Sequence, residues 1–83
     1  MEASRAMEVA EDLSIELQEL HDKVEEAKKL FEDVWAAIDM HDNYTREHET
    51  KFKQGSWDLS CAMDALRQAA DLMDEAYDLL DEG

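Results

Sequence analysis

Three histidines, a single cysteine and 23 carboxylates are the groups in this 83-residue chain that could do chemistry. A di-iron site in a helical bundle draws on Glu-x-x-His pairs projecting from facing helices. Three residues before His21, His41 and His48 stand Gln18, Ile38 and Thr45, so that motif is absent. His41 and His48 flank a turn-like stretch, where polar histidines are ordinary. With no Cys/His cluster spaced for zinc, no metal and no cofactor is expected. Cys61 and the serines lack a glycine-rich elbow and an ordered histidine partner, so no nucleophile is assigned. No P-loop or dinucleotide fingerprint occurs. Acid–base work by paired carboxylates needs a cleft, which a narrow helical bundle does not offer. The chain therefore reads as non-enzymatic, with no catalytic, cofactor-binding or metal residues.

The elements that carry these groups are helical. Proline is absent, the only glycines are Gly55 and Gly83, and Leu, Ala, Glu, Asp, Lys and Met dominate. With Leu59 at heptad position a, Leu59, Leu66, Met73 and Leu80 fall at a, and Ala62, Ala69 and Ala76 at d. Ala65, Leu72 and Leu79 fall at g, and Met63, Ala70 and Tyr77 at e. Positions b, c and f are polar and mostly acidic. The first part of the chain repeats the pattern, with Ala3, Ala10, Leu17, Val24, Phe31 and Ile38 at a and Ala6, Leu13, Leu20, Ala27 and Val34 at d. Between Ser14 and Lys28 the e and g positions are polar, which predicts a narrow a/d seam. From Leu30 onward, Leu30, Trp35 and Ala37 widen it. Glu19–Lys23 and Glu25–Lys29 are expected to pair at i,i+4.

The predicted fold is all-α and a single domain over residues 1–83. A helix of about 3–41, a turn of about 42–45 and a second helix of about 45–82 form an antiparallel hairpin. Asp42, Asn43 and Thr45 supply turn and cap chemistry. The heptad runs backwards through Gly55 with Phe52 at a and His48 at d, so the second helix is continuous or kinked at Gly55. The alternative is a fresh helix capped by Ser56. Equal arm lengths favour the continuous helix. The alanines at d, with Ala27, would let the two backbones approach closely. One seam leaves Leu30, Trp35, Leu72, Tyr77 and Leu79 partly uncovered, so they are expected to form the oligomer interface of a homodimeric four-helix bundle. An oligomer also answers the poor burial available to so short a chain.

Charge is the feature that departs from the ordinary. The formal net charge is −15, from 23 acids and 8 bases. Such a chain is repelled by nucleic acid and by anionic membranes and is attracted to basic proteins. From Ser56 to Gly83 there are eight acids and one base, Arg67. That is one charge per about 5 Å of helix, against one per about 3.4 Å along a DNA strand. Asp64, Asp71, Asp74, Glu75, Asp78 and Asp81 are the expected partner-binding residues. The function read from them is an inhibitor or regulator that occupies a basic, nucleic-acid-binding surface of another protein. Two alternatives remain: a self-assembling helical adaptor that binds through its apolar seam, and a small-ligand bundle using the turn region. Residues 43–56 hold Arg46, Lys51 and Lys53 against two glutamates. There Phe52 and Trp57 are expected to be buried, with the bases paired to neighbouring acids. The lone cysteine fits a reducing compartment, and the opening MEASRAMEVA has no apolar run, so a cytoplasmic location is expected.

Overall fold

The structure is a computed structural model that describes residues 1–82. Two 37-residue helices, α1 (Ala3–Asp39) and α2 (Arg46–Glu82), pack against each other as a hairpin. The hairpin is a rod of 62 × 16 × 16 Å. No helix among the described residues is long and apolar enough to cross a membrane.

Local chemistry accounts for the reversal. α1 stops at Asp39, two residues before the expected end at His41, and the chain turns as the His41 N–H bonds the Ile38 carbonyl at 2.8 Å. The Tyr44 N–H then bonds the His41 carbonyl at 3.0 Å. Thr45 and His48 close the start of α2 reciprocally. The His48 N–H donates to Thr45 Oγ1 at 3.3 Å, and the Thr45 N–H donates to His48 Nδ1 at 3.1 Å. This is a capping box with histidine in the place usually held by Glu or Gln. His41 Nδ1 likewise accepts the Asn43 N–H at 3.2 Å. Two of the three histidines thus serve the backbone of the turn.

Contacts fix the antiparallel register. Ser14 meets Ala70, Phe31 meets Gly55 and Ser56 meets Glu32, so facing residues have numbers that sum to about 86. Near the turn the helices are held by aromatic rings. Phe31 and Phe52 have centroids 5.4 Å apart, and Trp35 stacks on Phe52 at 6.2 Å. The Trp35 indole N–H donates to the Tyr44 hydroxyl at 2.9 Å. Toward the open end the contact changes to small residues, and Ala10, Ser14 and Ala70 are buried. No larger side chain is buried among the described residues.

The seam differs from the expected one. In α1 the covered positions are a and e (Ala10, Ser14, Leu17, His21, Val24, Lys28, Phe31 and Trp35), while the d residues Leu13, Leu20, Ala27 and Val34 are exposed. Burial is therefore complete at Ala10, Ser14 and Ala70, while Ala27 is exposed. Small side chains at these a and e positions let the backbones come together there, and His21 and Lys28 are half-buried beside them. Of the two expected i,i+4 pairs, Glu25–Lys29 forms at 4.0 Å, and Glu19–Lys23 is absent among the described residues. Both are exposed pairs, whose attraction barely offsets side-chain entropy.

α2 runs unbroken through Gly55, so a fresh helix at Ser56 is excluded. A Cβ added at Gly55 would lie 2.7 Å from Phe31 Cζ. Glycine there makes room for the ring. Replacing it by alanine in a free helix would stabilise by about 1 kcal/mol. In this chain Gly55→Ala is expected to show little or none of that gain, and to recover it, about 1 kcal/mol, when Phe31 is also changed to Leu. Urea midpoints of the four proteins in the cycle measure this; equal gains in both backgrounds would mean the ring moves aside freely.

Candidate functional site

Antiparallel helices bring like-lettered flanks together, so this hairpin has two broad sides. On one side lie positions b, e and f of both helices. Three shallow grooves run along it. One is lined by Gln18, His21, Asp22, Arg67, Ala70 and Asp71, and another by Glu11, Asp74, Tyr77 and Asp78. The third, near the turn, is lined by Glu32, Trp35, Ala36, Asp39 and Glu49. Every lining residue sits at b, e or f. On the other side lie positions d and g.

The sequence-predicted acidic residues divide between roles. Asp64, Asp71 and Asp78, at f, are exposed, and Asp71 and Asp78 line grooves of the b/e/f side. Glu75 and Asp81 are also exposed. Asp74 is tied into the hairpin. Its carboxylate accepts the Ser14 hydroxyl at 2.7 Å, and the Gln18 amide donates to Ser14 Oγ at 3.3 Å. Ser14 has one proton to give and also lies 3.4 Å from the Ala70 carbonyl; the shorter, charge-assisted bond to Asp74 takes it. Sequence reasoning missed this bond because Ser14 and Asp74 are 60 residues apart. Its only trace in the sequence is the small Ser14 on an otherwise long-chained e row.

The residues expected to face a second copy divide as well. Leu30, Leu72 and Leu79 are largely exposed. Trp35 and Tyr77 are half-buried. Trp35 belongs to the aromatic cluster at the turn, and Tyr77 lines a groove of the b/e/f side. In the turn region Phe52 is half-buried, and Lys51 and Lys53 pair with Glu47 and Glu49 at 3.4 and 3.7 Å. Trp57, expected to be buried, is 66% exposed, because position f lies outside the seam.

Neutralisation is uneven. All the ion pairs of lysine or arginine among the described residues use carboxylates between Glu25 and Glu49. Glu32 has the strongest surroundings. Lys28 Nζ lies 2.9 Å from its Oε1 and the Ser56 hydroxyl donates to the same oxygen at 3.2 Å. The hydrogen bond from Lys28, then its charge, hold the Glu32 carboxyl below the ordinary glutamate range, with Ser56 adding to them. The stabilisation is therefore complete above that range and is lost as pH falls through the lowered value. From Gln54 to Glu82, by contrast, no carboxylate is ion-paired among the described residues.

His21, Asp22 and Glu25 place one ligand atom each within 4.8 Å of one another. All three come from one turn and a half of α1, with His21 and Glu25 half-buried and Asp22 exposed, and His21 Nδ1 already contacts Asp22 Oδ1 at 3.3 Å. The arrangement offers a weak three-donor set and no enclosed cavity. No protein family, curated protein or solved structure matches this chain.

Asp74 and the f-row aspartates should respond differently to substitution. Asp74→Ala is expected to lower stability by about 1 kcal/mol through the lost bond to Ser14. Asp64→Ala, Asp71→Ala and Asp78→Ala are expected to leave it unchanged or raised, since each removes self-repulsion. Denaturant unfolding of the four variants distinguishes the roles; equal effects would remove Asp74 from the hairpin's supports.

Proposed function

We propose that this protein is a non-enzymatic interaction module, a homodimeric four-helix bundle whose acidic outer surface occupies a basic, nucleic-acid-binding surface of a partner protein. The carboxylates from Asp58 to Glu82, none of them ion-paired among the described residues, carry this reading. A solvated face kept only for solubility usually mixes signs and forms i,i+4 pairs, as the turn half of this hairpin does. Residues 56–83 hold eight acids and only Arg67. Aspartate predominates there, and its short side chain holds the charge close to the helix axis. The f row gives one carboxylate roughly every 10.5 Å, and the b-row residues Asp74 and Asp81 fall between.

Binding of this kind gains speed and specificity from charge and is screened by salt. The chain, tagged and incubated with lysate, is expected to capture a nucleic-acid-binding protein at low salt. The capture should be lost at high salt and competed away by DNA or RNA. Reversing Asp64, Asp71 and Asp78 to lysine, with Asp74 left intact to keep the hairpin closed, is expected to abolish it. Undiminished capture by that triple variant would exclude the acidic row as the binding surface, and a salt-resistant partner would place binding on apolar residues.

A further inference from the structure

We propose that the d/g side of the hairpin is the surface on which a second copy of this chain docks, centred on Leu13, Leu20, Leu30, Val34, Leu72 and Leu79. These six side chains are between 37% and 64% exposed. By the register they line one side of the rod from the open end almost to the turn. Leu13 and Leu72 lie level with each other, Leu79 lies farther toward the open end, and Leu30 and Val34 lie toward the turn. Ala27, Ala62, Ala65, Ala69 and Ala76 stand among them, small enough to let two hairpins come close. The inference rests on the dimer proposed above and identifies its contact face.

Three observations select a second copy as the occupant. The first is area. The chain exposes 6462 Å², whereas a folded monomer of 9.6 kDa exposes about 5,100 Å². The surplus of about 1,400 Å² exceeds the roughly 800 Å² that each partner contributes to a standard interface. The second is dependence. Among the described residues only two alanines and one serine are buried, so the hairpin gains little from its own core and much from covering its apolar side. A second copy is the one partner always present in proportion to the chain itself.

The third is charge. Two chains of −15 repel wherever acids meet. Within the helices, the d row carries no acid, lysine or arginine. The g row carries Glu16 and Asp58 against Lys23 and Lys51, a balance of zero. This side is thus locally neutral in a strongly acidic protein. It fits another copy of itself and gives a basic protein little to hold. Docking there leaves Trp35, Tyr77 and the b/e/f grooves outside the interface. The dimer then presents two acidic faces pointing away from each other, enough for two basic partners.

Sedimentation of the full chain across concentrations tests the face. Leu13→Glu and Leu72→Glu are each expected to weaken self-association by roughly 100-fold, since the new carboxylate would be buried unpaired in both protomers. Ile15→Glu, at an exposed f position on the opposite side, is expected to leave it unchanged. Dissociation by Ile15→Glu but not by Leu72→Glu would overturn the face and leave the dimer standing. A wild-type chain that is folded and monomeric at all concentrations would overturn the dimer as well. Should the leucine variants unfold, the wild-type chain still decides the matter. With a soluble paramagnetic agent, the methyl groups of Leu13, Leu20, Leu72 and Leu79 should be protected and that of Ile15 should relax quickly; the reverse pattern would refute the proposal.

Discussion

Two helices lying side by side cannot enclose a large side chain, and the rest of this structure follows from that limit. Each helix covers one strip of the other and leaves most of its circumference to water. Here the strip is closed by Ala10, Ser14 and Ala70 toward the open end and by Phe31, Trp35, Tyr44 and Phe52 at the turn. The small contact brings the backbones close, and the aromatic contact supplies area. Gly55 belongs to the second device, because the Phe31 ring occupies the space where a Cβ would stand. A residue that weakens an isolated helix is retained at the point where the two helices need room.

Much of this architecture is legible in the heptads. The 3–4 spacing of Leu59, Ala62, Leu66, Ala69 and Met73 requires a helix with one apolar side, and the same spacing before Ile38 requires a second. Equal arms and an unbroken register through Phe52 and His48 predict a continuous α2. The division of the apolar arc does not follow from the pattern. A heptad identifies the apolar positions d, a, e and g, but it does not say which of them meet the neighbouring helix in the same chain. Ser14 and Lys28 look like polar flanks of an a/d seam. They lie in the seam because a small side chain and a long flexible one both fit between closely spaced backbones. The acidic row is equally legible as charge. The distinct place of Asp74 is not, since it depends on Ser14 across the register.

The a/e seam has a consequence for charge. Turning a and e inward in α1 leaves d and g on one side of the hairpin and b and f on the other. The rotation of α1 about its axis thereby leaves its d residues Leu13, Leu20, Ala27 and Val34 exposed on the side away from the b and f acids. Had α1 used a and d, Leu13, Leu20 and Val34 would have been covered within the chain, and Ser14, His21 and Lys28 would have flanked them on the outside. A hairpin of that kind would have less surface to offer a second copy. The rotation leaves the monomer under-buried, and that same feature frees an apolar, neutral side for contact.

Helix stability does not explain the sign of the charges at the end of α2. The carbonyl end of a helix carries partial negative charge and is stabilised by Lys, Arg or His in the last turn, by about 0.3–1 kcal/mol each. The last turn of α2 has no base, and Asp81 and Glu82 stand in it. At the start of the same helix Glu47 and Glu49 sit where the dipole favours them. One end of α2 therefore follows helix electrostatics and the other opposes it. Solubility alone requires net charge and is indifferent to where along the helix it lies. The acids in that last turn stand against the helix dipole, and neither helix electrostatics nor solubility accounts for their position.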